Sequence, residues 1–191
     1  PLIMEKIQVD NEVARLRILK AAHEGKRFAL QDAVTFQYPK RIQSLKGELQ
    51  LLQKDLERRN QAMEVQPGFA ITLQGKVYEK HKEAGEVLRG IIEGVTAFTR
   101  HEVGIYKGFQ VSVQNDMLGP ILFLQGEKEY SVELKSSDSG NMVRIENRLN
   151  ALDKAVEDVQ KEIKTCENEI KNAKQEYEKP FPYEELLKEN I

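Results

Sequence analysis

From Met142 to Tyr177 the chain reads MVRIENRLNALDKAVEDVQKEIKTCENEIKNAKQEY, and this stretch decides the architecture. Its apolar residues Ile145, Leu149, Leu152, Val156, Val159, Ile163, Cys166, Ile170, Ala173 and Tyr177 are spaced alternately three and four apart, without a slip. That alternation is a coiled-coil seam on a long helix. Ser136 to Asn141 supplies capping residues ahead of it, and Pro180 with Pro182 stops it, because proline cannot donate within a helix. At 1.5 Å per residue the helix would be a rod of roughly 55 Å. A rod of that length has to bury its seam against a partner.

Near the other end of the chain, Ile42, Leu45, Leu49, Leu52, Leu56 and Met63 repeat the alternation, and Arg59 is the one break. A further helix from about Glu12 to Tyr38, capped by Asp10-Asn11, carries Val13, Leu16, Leu19, Phe28, Leu30 and Val34, and Pro39 should kink or interrupt it. Antiparallel pairing of the two seams places Ile42 opposite Val159 and Leu52 opposite Leu149. It brings Arg41 near Glu162, Lys46 near Asp153 and Asp55 near Arg148. Residues 12–64 hold 11 basic and 7 acidic groups against 9 and 12 in residues 142–191, which favours pairing. Each exposed pair is worth under about 1 kcal/mol, so the seam supplies stability and the charges select alignment. Self-association of the 142–178 helix is the competing arrangement.

The residues between the arms have strand-like texture. Phe69–Leu73 and Lys76–Tyr78 flank a Gln74-Gly75 turn. Glu79 to about Arg100 has helical spacing, and strands are expected at 108–113, 121–124 and 130–134. The expected fold is therefore α+β, a long antiparallel coiled-coil hairpin with a small ββαβββ head inserted at its tip. Its segments are a first arm at 10–66, the head at 67–138, a second arm at 139–179 and a tail or short helix at 180–191.

The 191 residues carry 29 Lys+Arg against 31 Asp+Glu, a net charge of −2 that gives no general pull toward nucleic acid. No apolar run reaches the length of a membrane span. The N-terminus lacks the order of a secretory signal, and one Cys cannot build a disulfide framework, so a cytoplasmic setting is expected. A first residue that is Pro rather than Met suggests an excised piece of a longer protein.

Catalytic signatures are missing from the sequence. It has no phosphate-binding Gly-x-x-x-x-Gly-Lys-Ser/Thr loop and no Gly-x-Gly-x-x-Gly after a strand, and His101-Glu102 is not followed by the second His of a zinc motif. Cys166 falls on the seam as a small apolar residue, and His23 has no second ligand at metal spacing. Candidate nucleic-acid contacts are Lys54, Arg58 and Arg59, Lys76 with Lys80, His81 and Lys82, and Tyr106 with Lys107. Each has an alternative: a solvated charged face for the basic groups, and core packing for Tyr106 and Phe109. No catalytic, metal-binding or cofactor-binding residue is assigned.

Several segments, in order along nearly the whole chain, resemble the C-terminal region of the very large helicase–methyltransferase proteins of bacterial conjugative transposons and plasmids. They are Asp10-Asn11-Glu12-Val13-Ala14-Arg15-Leu16, Leu19-Lys20-Ala21-Ala22-His23, Tyr38-Pro39-Lys40-Arg41-Ile42, Gly75-Lys76-Val77-Tyr78, Lys82-Glu83-Ala84-Gly85, Tyr106-Lys107-Gly108-Phe109 and Lys179-Pro180-Phe181-Pro182. Such parents join a superfamily II, Swi/Snf-like DNA helicase to an adenine-specific DNA methyltransferase. The resemblance implies a parent that uses ATP and S-adenosylmethionine and binds DNA. This chain holds neither the ATP motifs nor the Asn/Asp-Pro-Pro-Tyr motif, so it would be a non-catalytic accessory segment. It would guide DNA or dock a partner, with the rest of the parent polypeptide and DNA as its partners. As an isolated fragment it is expected to be monomeric and away from membranes. The alternative is a free-standing interaction or chaperone-like module of prefoldin type.

Overall fold

A computed structural model describes residues 1–190 and shows an α+β protein with a long N-terminal helix followed by a six-stranded antiparallel sheet with helices. The chain divides into two compact units, residues 47–160 and residues 1–46 with 161 onward. No described helix is long and apolar enough to cross a membrane.

In the second of these units, helix α1 runs over Leu2–Asp32, ten residues ahead of the start expected from Asp10-Asn11. It passes into a π-helical turn at Ala33–Gln37 and then into α2, Tyr38–Val65. Pro39 therefore interrupts the α-helical ladder by a change of pitch. Tyr38 N–H reaches back five residues to Ala33 O, just before a residue that has no N–H to donate. Helix α5, Leu152–Glu178, supplies residues 161–178 of this unit, followed by the short α6, Glu184–Glu189. The contacts run in opposite sequence directions. Lys20 pairs with Glu184 at 2.9 Å, Lys26 with Glu176 at 3.4 Å, and Arg41 with Glu162. Arg27 donates through Nε to Tyr177 O at 3.1 Å and lies over the Tyr177 ring. Leu16, Leu45, Ile163, Cys166, Ala173 and Leu187 are buried here.

The other unit holds the sheet, ordered β2-β1-β3-β4-β5-β6. Its strands are β1 Ile71–Leu73, β2 Lys76–Tyr78, β3 His101–Tyr106, β4 Phe109–Asp116, β5 Gly119–Gln125 and β6 Glu129–Glu133. The head is thus ββαββββ, one strand more than the expected ββαβββ. Helix α3 covers only His81–Gly94, so the segment up to Arg100 read as helix is loop. Strand β3 hides from an alternation test because the register shifts between Glu102 and Gly104, and Val103 and Tyr106 are both buried while Ile105 is exposed. Gly108, expected to open the strand at 108–113, instead forms with Lys107 the turn of the β3–β4 hairpin. Its φ values of 48° and 83° match those of Gln74-Gly75 at 50° and 83°, the doubly left-handed geometry favoured in two-residue hairpins.

Ile71, Leu73, Phe109, Val111, Val113, Leu122, Leu124, Tyr130 and Val132 form the buried face of the sheet. Ala84 and Leu88 of α3 and Met142, Ile145 and Leu149 of α4, Asp138–Asn150, are buried in the same unit. Ser137 caps α4 by accepting Gly140 N–H at 3.1 Å. The Asn141 amide clips the preceding loop in both directions, accepting Lys135 N–H and donating to Lys135 O. The expected single helix from Met142 onward is broken into α4 and α5 at Ala151.

Helices α3 and α4 meet at Gly85, where a Cβ would fall 2.1 Å from Asp138 O. Gly90 of the same helix faces open space. Gly85→Ala should therefore destabilise the protein by about 3 kcal/mol. Gly90→Ala should leave it unchanged or stabilise it by up to about 1 kcal/mol. Urea melts of the two variants check the contrast.

Candidate functional site

Asp55 is fully buried on α2. Its carboxylate accepts Glu127 N–H at 2.6 Å, Lys128 N–H at 3.0 Å and the Tyr130 hydroxyl at 2.7 Å. The expected neighbour Arg148 does not pair with it. Both residues converge on Tyr130 instead: Arg148 lies over the ring, 5.2 Å from its centroid, and donates to Ser131 O. Burial, then the hydrogen bond to Asp55, holds the Tyr130 hydroxyl well above the usual phenol range.

Arg59, the seam-breaking cation, is 6% exposed and donates through Nη1 to Leu149 O and to the Asp153 carboxylate, each at 2.8 Å. Leu149 O lies at the end of α4, where a helix has carbonyls without intrahelical donors. The cation also suits the negative end of the helix dipole. Asp153, expected opposite Lys46, is thereby engaged by Arg59, and this hydrogen bond holds its pKa below the ordinary carboxylate value.

Of the remaining candidates, Arg58, His81, Tyr106 and Lys107 lie about residues 66–69 and the Lys107-Gly108 turn. Arg58 is half-buried, donates to Gly108 O at 3.3 Å and lies 3.7 Å from the Glu127 carboxylate. Lys107 donates to Gln66 O and Gly68 O, and its partial desolvation lowers its pKa. His81 pairs with Glu146 and stacks on Phe69 at 4.2 Å. Tyr106 and Phe109 are buried, so neither offers a stacking surface for bases. Lys54, Lys76, Lys80 and Lys82 are exposed, with the Lys76 amine 5.4 Å from the Tyr78 ring centroid. Of the nine candidates, Arg59 and Tyr106 are buried, Arg58, His81 and Lys107 are tied to neighbours within the fold, and the four lysines at 54, 76, 80 and 82 are exposed. Among the described residues no group of three or more His, Cys, Asp or Glu side chains is placed to hold a metal ion.

A different cluster escaped the sequence reading. Phe98, Met117 and Leu118 are 65%, 90% and 95% exposed. Met117 and Leu118 form the tip of the β4–β5 hairpin, where Asp116 Oδ1 accepts Leu118 N–H at 2.8 Å and Gly119 takes φ 108°. Phe98, in the α3–β3 loop, is bound to the same hairpin through its N–H to Asn115 O at 2.9 Å. Its φ of 62° is left-handed, an unusual conformation for an aromatic residue. The available signal was two large apolar residues at turn positions that ordinarily carry polar ones.

No family model matches the chain, and searches of curated proteins and of solved structures return no match.

Asp55→Ala would leave the Tyr130 hydroxyl and two backbone donors without their acceptor, at an expected cost of about 3 kcal/mol in denaturant melts. The lowered Asp153 pKa means that its bond to Arg59 stabilises the fold above the unfolded value of about 4 and is lost as pH falls through the lower folded value. Asp153→Asn should therefore show a shallower loss of stability than the parent over about pH 5 to 2.

Proposed function

We propose that the chain is a non-catalytic docking module whose contact surface is the Phe98–Met117–Leu118 cluster. In this reading the helices α1–α2 and α4–α5 pair as an antiparallel coiled-coil hairpin that carries the α+β head. The module serves as an accessory arm of a mobile-element DNA helicase–methyltransferase and docks on the remainder of that polypeptide. The link to that parent rests on the sequence resemblance alone.

The observation that carries the docking role is the cluster itself. Three large apolar side chains, from two loops joined by the Phe98 N–H to Asn115 O bond and with Leu118 N–H held by the Asp116 side chain, are costly to leave in water and suit an apolar pocket on a partner protein. Docking is favoured over guiding DNA because the cluster is apolar, with Asp116 in its turn. The basic candidates Arg58, Arg59, Lys107 and His81 are engaged within the fold. Phosphate binding calls for a basic track open to the ligand.

The test measures binding of this chain to the separately produced remainder of the parent by calorimetry. Met117→Ser with Leu118→Ser should weaken the complex at least about tenfold while leaving the melting temperature of the chain unchanged. Duplex and single-stranded DNA should show no retention even at low salt. Retention that falls steeply with salt, together with unchanged partner binding in the double variant, would return the assignment to a DNA guide.

A further inference from the structure

A second exposed apolar surface lies on α1, away from the residues that this helix buries. Leu16 is buried, and His23, Arg27 and Leu30 are half-buried on one side. Ala21, Gly25, Phe28 and Phe36 are exposed, with Phe28 at 75% and Phe36 at 66%. Eight residues of α-helix would leave Phe36 about 80° round the axis from Phe28. The wider π turn at Ala33–Gln37 rotates less per residue and returns Phe36 toward the line of Phe28. The two rings border one open cleft of about 310 Å³, shared with Gln31, Asp32 and Thr35. Nothing lies within 4 Å of a Cβ placed on Gly25, so a facing helix can approach closely there.

The charges around the cleft specify what fits it. Glu24 lies four residues before Phe28, and Lys40 lies four residues after Phe36. Both are exposed, and neither pairs with another side chain among the described residues. We propose that this face docks a second copy of the chain, helix against antiparallel helix, about a two-fold axis near Asp32. Setting Phe28 against Phe36 of the second copy sets Glu24 against Lys40 of the second copy, and symmetry makes each contact twice. It also sets Asp32 against itself. That carboxylate accepts Gln37 Nε2–H at 2.6 Å, but the opposed charges still resist the pairing and keep it weak. The chain is then monomeric when dilute and dimeric when concentrated.

Sedimentation equilibrium of the full chain from about 10 to 500 µM tests this, with circular dichroism confirming that each variant is folded. The mean mass should rise toward that of a dimer. Phe28→Ser with Phe36→Ser should abolish the rise. Glu24→Lys and Lys40→Glu should each weaken association about threefold to tenfold, and the double exchange should restore it. Asp32→Asn should tighten it. A monomer at every concentration would overturn the proposal, as would association that survives loss of both rings. Failure of the double exchange to rescue, or an Asp32→Asn variant no tighter than the parent, would overturn the antiparallel register.

Discussion

A carboxylate taken wholly out of water is tolerated only where donors meet its oxygens, and Asp55 meets that condition through the turn between β5 and β6. The turn has two backbone N–H groups with no ladder partners, and Asp55 accepts both. Tyr130 completes the set and carries the contact into the sheet. The approach is close enough that a Cβ on Gly126 would fall 2.3 Å from Asp55 Oδ1. Helix, turn and strand are thus fixed to one another by a single ion whose removal leaves several groups unsatisfied at once.

Arg59 performs the complementary task at the α4–α5 junction. In the sequence it is an error in an apolar repeat, whereas in the fold it is a cation at the negative end of a helix. Together Asp55 and Arg59 are two charges of α2 that contribute nothing to its external surface. They are consumed in aligning the elements of the unit. A buried polar pin costs stability relative to an apolar seam but selects one register, as a polar residue at a core position does in coiled coils.

The legibility of the sequence followed periodicity. The three–four spacing from Ile145 to Tyr177 marked the helical region, and the capping and stop residues gave its ends to within a few positions, but the unbroken spacing carried no sign of the break at Ala151 between α4 and α5. Lengthwise order in the head was equally readable for Ile71–Tyr78 and for the strands around Val111, Leu122 and Val132. Strand β3 was lost because its bulge at Val103 breaks the period of two, and because Lys107-Gly108 resembles strand continuation until its φ values are known. The start of α1 was misplaced because Asp10 and Asn11 are good caps in isolation, and a longer helix simply runs through them. Arg41 found Glu162 as charge matching suggested, but Asp55 and Arg148 were drawn to a tyrosine that no pairwise rule includes. The exposed cluster was illegible for another reason: Phe98 sits far in sequence from Met117, and only the hairpin hydrogen bond brings their loops together.

The left-handed backbone at Phe98 has a consequence for how this protein can change over time. Holding a non-glycine residue there costs on the order of 1 kcal/mol, against a total stability of about 5–15 kcal/mol for a typical domain. Replacement by glycine would relieve the strain at the cost of this ring. In the docking role proposed for this surface, thermal hardiness and recognition would pull in opposite directions at position 98, and a variant bred only for heat resistance would be expected to shed the aromatic group.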